Sequence, residues 1–156
     1  MTSKETNQII KFLENSKVKY KVIIHQPIHT AEEAAKVRKT LINEAVKSLI
    51  FKLDKDEFKL ILVRGDKRAN LKELKKLLNS KNIRLASPEE VLKLTGCEIG
   101  SCHPFGNLNN LEIIMDSSIL ENEIVDFNIG QHTHSCEMKT KDLAKLLKPK
   151  ILEFTS

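Results

Sequence analysis

The sequence contains no tryptophan, one tyrosine and six phenylalanines. So thin an aromatic supply argues against a stacking platform for single-stranded nucleic acid, where successive bases need successive rings. Cysteine is as scarce, with three residues, an odd number, and no Cys-x-x-Cys pair. That argues against a disulfide framework and for free thiols in a reducing, cytosol-like compartment. Long apolar runs are missing too. Leu60-Ile61-Leu62-Val63 is typical of the longest, against the roughly 20 residues of a membrane helix. The start, Met1-Thr2-Ser3-Lys4-Glu5, is polar and carries no apolar signal core. No repeat, low-complexity tract or Pro/Gly-rich linker interrupts the 156 residues. The chain therefore reads as one soluble, cytoplasmic domain spanning 1–156.

Charge, by contrast, is plentiful and unevenly placed. The chain holds 26 Lys plus Arg against 21 Asp plus Glu, a net charge of +5. Eight of the basic residues lie between 64 and 84: Arg64, Lys67, Arg68, Lys72, Lys75, Lys76, Lys81 and Arg84, opposed there by Asp66 and Glu73 alone. This segment is +6 and the remainder −1. A local basic zone suits a phosphate-bearing partner, because neutralising phosphates releases condensed counterions. It also suits an ordinary solvated helix face, since Leu71, Leu74, Leu77 and Leu78 supply an apolar stripe opposite the lysines.

The patterning predicts a mixed α+β domain. Residues 4–15 read as an amphipathic helix and 20–24 as a short strand. Thr30-Ala31-Glu32-Glu33 and Ser87-Pro88-Glu89-Glu90 read as capping boxes that start helices, the second with proline at the first helical position. The runs 46–53 and 58–63, separated by Asp54-Lys55-Asp56-Glu57, predict a hairpin. Asn70 opens the basic helix, 83–86 predicts a strand, and so do 111–115, 124–128, 133–138 and 151–154. Thr140 is expected to cap a helix running to Leu147. Strands and helices do not alternate strictly, which favours a mixed, mostly antiparallel sheet with surrounding helices.

Four features carry candidate chemistry. The irregular stretch 95–110 holds Gly96, Gly100, Pro104 and Gly106, and its backbone N–H groups could cradle a carbonyl oxygen or phosphate. His132-Thr133-His134-Ser135-Cys136, taken as a strand, places 132, 134 and 136 on one face. With Cys97, Cys102 and His103 these could ligate zinc, although no known ligand spacing is present. Cys102 could serve as a nucleophile with His132 or His103 as base. Lys47 shares a strand face with Leu49 and Phe51, so it either snorkels to the edge or meets an anion in a pocket.

The order of these pieces resembles the YbaK/ProX family of aminoacyl-tRNA deacylases, relatives of the editing domain of bacterial prolyl-tRNA synthetases. The resemblance rests on His25-Gln26-Pro27-Ile28-His29-Thr30-Ala31-Glu32-Glu33-Ala34, Val46-Lys47-Ser48-Leu49, Asp66-Lys67-Arg68 and Ala86-Ser87-Pro88-Glu89-Glu90. It continues through a Gly-x-x-x-Pro element at Gly100–Pro104 and Phe127-Asn128-Ile129-Gly130-Gln131-His132. It implies trans-acting hydrolysis of the ester that joins a wrong amino acid to tRNA, most typically tRNA for proline. It also implies no metal and no cofactor.

By this resemblance Lys47 meets the phosphate or ribose side of the terminal adenosine. Gly100 and the loop to Pro104 polarise the ester carbonyl, and water is the nucleophile. The same likeness puts His29, Thr30, Ser48, Ser101, Cys102, His103, Pro104, Gly130 and His132 at the substrate. The acceptor end of tRNA is expected on Arg64, Lys67, Arg68, Lys72, Lys75 and Lys76, with prolyl-tRNA synthetase as an optional partner. The chain departs from the family pattern at Ser101, where many members have glycine, and at Cys102-His103, where serine or threonine is usual. Ser48 and His132 depart as well, which leaves the amino acid open, with a small one favoured. A non-catalytic tRNA-binding domain and a cysteine-dependent hydrolase are the other readings.

Overall fold

A computed structural model describes all 156 residues. Its elements in chain order are α1 (Lys4–Ser16), β1 (Tyr20–Ile24), α2 (Ala31–Arg38), β2 (Val46–Lys52) and β3 (Phe58–Arg64). They continue with α3 (Leu71–Leu77), β4 (Arg84–Leu85), α4 (Pro88–Thr95), β5 (Glu112–Asp116), β6 (Ile124–Gln131), β7 (His134–Lys139), α5 (Thr140–Leu147) and β8 (Lys150–Leu152). The strands form two sheets, ordered β1-β7-β6 and β4-β2-β3-β5-β8. Pairing is antiparallel except for β3 with β5 and β5 with β8. The α+β class expected from the sequence is what forms. The single sheet becomes two, joined by a lone bridge between Ala45 and Asp126.

The central hairpin explains why 58–63 reads as a continuous apolar run rather than an alternating one. Leu60 and Leu62 enter the main core between the two sheets, while Ile61 and Val63 enter a second core with Phe51, Leu74, Ile114 and Phe154. A strand covered on both faces needs apolar residues at every position. Lys47 pairs with Val63 across the hairpin and so lies on the second face, at its open end. Three helix starts follow the side-chain chemistry. Thr30, Asn70 and Ser87 accept the N–H of the residue three further on, and Ser87 with Glu90 completes a reciprocal box.

Four expectations are corrected. At Thr30 the box is incomplete, because the Glu33 carboxylate accepts from the Thr30 hydroxyl and not from its N–H. Thr140 does not cap its helix; Lys139 occupies that place and Thr140 is the first helical residue, its hydroxyl buried without a partner. The last strand ends at Leu152, and beyond it Phe154 is held instead by Asp116. His132 and Thr133 form the β6–β7 turn, so His132 does not share a strand face with His134 and Cys136. No helix is long and apolar enough to cross a membrane.

Candidate active site

One cleft of about 170 Å³ opens where four distant segments converge. The segment 28–34 and the first turn of α2 form one wall, and Ala45–Leu49 at the start of β2 form the floor. Gly100 and Cys102 of the long loop, with Asn128 of β6, complete it. Much of the lining is small or aliphatic: Ile28, Ala31, Ala34, Ala45, Val46 and Leu49. A wider groove of about 530 Å³ lies at the far end of β2. It is polar and shallow, built mainly from lysines and aspartates around the hairpin tip.

Lys47 lines the cleft, half-buried. Its Nζ donates to the carbonyl of Lys67 at 2.7 Å and has no carboxylate within ion-pair distance. Burial lowers its pKa, with Arg68 adding to the effect and Asp66 and Glu32 opposing it. One carbonyl uses one of three ammonium protons, so two donors and an unneutralised charge remain for an anion.

The loop is shaped by Gly100. The Ser101 N–H donates to the Glu98 carbonyl at 3.1 Å, closing a turn whose third residue is Gly100 at φ +90°. Such a turn needs the left-handed region, which glycine enters freely. The loop is then tied to β6 twice: the Gly130 N–H donates to the Ser101 carbonyl at 3.0 Å, and Asn128 Nδ2 to the Gly100 carbonyl at 2.8 Å. No peptide bond is cis, so the Cys102 N–H points opposite to the anchored Ser101 carbonyl. Neither that N–H nor the one of Gly100 has a partner within the chain. Free amide donors in a turn of this kind suit a developing oxyanion.

Of the residues expected at the substrate, His29, Thr30, Ser48 and Cys102 line the cleft with Lys47 and Gly100. His132 stands beside it, its ring 5.0 Å from that of His29 and bonded through Nδ1 to the Ile28 carbonyl at 3.2 Å. Ser101, His103, Pro104 and Gly130 do not line it. Ser101 is buried with its hydroxyl on the Glu98 carbonyl. His103 is a core residue: its Nδ1 accepts from the Phe105 N–H at 3.1 Å, and burial lowers its pKa to about 4. Gly130, at φ +98°, serves packing, since a Cβ there would sit 3.2 Å from Thr6 Oγ1 on α1.

The cysteine geometry does not favour a nucleophile. Burial pushes the Cys102 thiol up to about 12, and its Sγ meets the Glu98 carbonyl rather than an imidazole. No three His, Cys, Asp or Glu side chains gather as a metal-ligand set. The basic zone divides. Arg64 is engaged by Asp66 at 2.7 Å and by Glu121 at 3.5 Å, so it is not a free cation. Lys67 and Arg68 lie beside Lys47, Lys72 and Lys76 are exposed on α3, and Lys75 faces the wider groove.

A buried polar network in the wall of the cleft, with Arg38 and Asn128 in its lining, escapes the sequence reading. Arg38 donates from Nη1 to Asp126 at 2.6 Å, from Nη2 to Asn128 Oδ1 at 2.9 Å and from Nε to Ser135 Oγ at 2.7 Å. Ser135 Oγ also lies 2.7 Å from His25 Nε2. Arg38 reads in the sequence as one more basic residue in a last helical turn. The available signal was Asp126, a lone carboxylate in the apolar run Ile124-Val125-Asp126-Phe127. Burial raises the Asp126 pKa against the opposing pull of Arg38.

Comparison with protein families matches the aminoacyl-tRNA editing domain over residues 25–146, the stretch that contains every wall of the cleft. The chain belongs to this family. Among curated proteins it is 26% identical over 151 residues to the multifunctional Ser/Thr-tRNA deacylase ProXp-y of Escherichia coli K12, covering 94% of this chain and 90% of that protein. It is 34% identical over 112 residues to the proline–tRNA ligase of Bacillus subtilis strain 168, covering 70% of this chain but 20% of the ligase. Among solved structures, a protein described as a candidate trans-editing enzyme for prolyl tRNA synthetase superposes with a TM-score of 0.89. It is 28% identical and covers 100% of this chain and 99% of that one. The editing-domain fold is therefore shared with that structure.

Proposed function

We propose that this editing domain acts in trans to hydrolyse the ester between a small wrong amino acid and the 3′-terminal adenosine of tRNA. The observation that carries this reading is one cleft holding an ammonium without an ion pair, Lys47, and the free amides of Gly100 and Cys102. A cleft of about 170 Å³ falls below the roughly 300 Å³ at which pockets begin to enclose larger ligands. It takes the aminoacyl group alone, and the adenosine rests at the mouth beside Lys47, Lys67 and Arg68.

The ester carbonyl oxygen receives the loop amides, and Lys47 holds the phosphate or ribose side. Water attacks the carbonyl carbon while a hydroxyl of the substrate relays its proton, accepting it and giving up its own. The tetrahedral oxyanion collapses, the bond to the ribose oxygen breaks, and that oxygen takes the relayed proton. Free amino acid and uncharged tRNA leave. The chain contributes position and electrostatic stabilisation rather than a covalent intermediate.

Small aliphatic walls fit alanine, serine, threonine or cysteine better than larger side chains, since a filled pocket rejects added bulk. The test is a deacylation panel in which tRNAs for proline, alanine, threonine and cysteine are each charged with these amino acids. Hydrolysis of at least one mischarged species, lost in Lys47→Ala and retained in Cys102→Ala and in the presence of chelator, supports the reading. A wild-type protein that binds these tRNAs and hydrolyses none would establish the binding-domain reading instead.

A further inference from the structure

In the wall of the cleft, where Arg38 and Asn128 both belong to the lining, the hydrogen-bond directions from α2 to the Gly100 loop are fully determined. Asn128 lies on β6 opposite Ser135 of β7, and Asp126 lies two residues earlier on the same face. Arg38 crosses that face and is itself buried, at 6% exposure, as are Asp126 and Ser135. A guanidinium only donates, so the Asn128 atom that receives Arg38 Nη2 must be its oxygen. Its nitrogen is thereby committed to the Gly100 carbonyl, which can only accept. No flip of the amide satisfies both neighbours.

We infer that Asn128, oriented by the Arg38–Asp126 pair, is the positioning residue that fixes the Gly100–Ser101 peptide, keeping its carbonyl out of the cleft and holding the turn that presents the Gly100 and Cys102 amides. The inference rests on the editing reading and adds to it a residue outside the family's Gly-x-x-x-Pro element. Gly100, at φ +90°, has no side chain to restrain the peptide that follows it. Its carbonyl could rotate toward the cleft and present an acceptor where the oxyanion forms. Asn128 holds that carbonyl at 2.8 Å, on the β6 side, while the Gly130 N–H holds the next one at 3.0 Å. Because the peptides are trans, the anchored Gly100 carbonyl turns the Ser101 N–H to Glu98, closing the turn, and the anchored Ser101 carbonyl turns the free Cys102 N–H away from β6. Lys47 and the aliphatic walls do not depend on this hydrogen bond, so substrate binding is separable from the alignment that acts in the transition state.

Asn128→Asp is the decisive variant, because it is nearly isosteric and keeps an acceptor for Arg38 while replacing the donor to Gly100 with an oxygen. Asn128→Ala removes both hydrogen bonds and serves as the second variant should the first be unstable. Kinetics use the aminoacyl-tRNA of the panel that the wild type hydrolyses fastest, and ¹H–¹⁵N spectra follow the Ser101 and Cys102 amides. The expected result is a kcat lowered about tenfold or more with KM within about twofold, since misaligned donors act on the transition state. The two amide resonances should shift or broaden. A kcat within about twofold of wild type, or unchanged resonances, overturns the inference. If the wild type hydrolyses nothing in the panel, the editing reading fails, and the resonances still decide whether Asn128 sets the turn.

Discussion

Asp116 offers a sharp test of how the far end of the molecule is held. It ends β5 with no solvent exposure, and its carboxylate accepts from the Phe154 N–H at 2.8 Å, the Ser118 N–H at 3.1 Å and the Thr155 hydroxyl at 2.8 Å. The Ser118 hydroxyl also donates to it. The tail so captured packs Phe154 into the second core and runs along the turn after β3. There the Asn70 N–H donates to the Phe154 carbonyl at 2.7 Å and the Ser156 N–H to the Arg68 carbonyl at 3.2 Å.

Asp116→Ala strands two buried N–H groups, each costing about 1–3 kcal/mol. The hydroxyls can turn elsewhere, and the desolvated charge is removed. We expect a net loss of about 2–4 kcal/mol, which for a chain of this size lowers the melting temperature by roughly 5–15 °C. The pH dependence follows from the carboxyl's depressed pKa. Burial alone would raise it, but the hydrogen bonds from Phe154, Ser118 and Thr155 together hold it below the ordinary range. A folded pKa below the unfolded one gives stability that is complete above the unfolded value, near 4, and is lost as pH falls through the folded value. The gap between wild type and variant should therefore be full at pH 7 and narrow below about pH 4. Urea titrations across pH 3–7 measure it. A gap under about 1 kcal/mol at pH 7, or one that widens in acid, would refute the argument.

Other tests address the cleft and its support. Arg38→Ala leaves the Asp126 carboxylate buried and unpaired, and should cost about 3–5 kcal/mol in chemical denaturation; the deficit should shrink at lower pH as that carboxyl takes up a proton. Burial pushes the thiols of Cys97, Cys102 and Cys136 up to about 11, 12 and 12. Native protein at neutral pH should therefore resist iodoacetamide, with all three sites labelled in urea, as intact-mass spectra would show. Reversal of the exposed lysines, Lys72→Glu with Lys76→Glu, should weaken tRNA binding and flatten its salt dependence by about one unit of log–log slope for each phosphate no longer neutralised. An unchanged slope would return α3 to being a solvated helix.

Much of this protein is legible without its structure because the determining interactions are local. Thr30, Asn70 and Ser87 start helices with oxygens that reach N–H groups three residues away, and alternation in β2 already places Lys47 with Leu49 and Phe51. Gly100 and Cys102, singled out from one loop, do line the cleft. Where a partner lies far along the chain, the sequence is silent or misleading. Arg38 finds Asp126 across 88 residues, and Arg64, counted with the free cations, is neutralised partly by Glu121. His132 falls in the two-residue turn between Gln131 and His134, and the β6 ladder shifts register between Asn128 and Gln131, neither of which side-chain alternation encodes. His103 and Ser101 share the loop with Gly100 and Cys102 yet are buried away from the cleft, His103 bonded to the Phe105 N–H and Ser101 to the Glu98 carbonyl. By itself the sequence determined the helix starts at Thr30, Asn70 and Ser87, the central hairpin and the strand face on which Lys47 lies, all set by interactions within a few residues. Tertiary structure alone decided which donors meet in one cleft, because that depends on four segments converging and on the buried charges that hold them there.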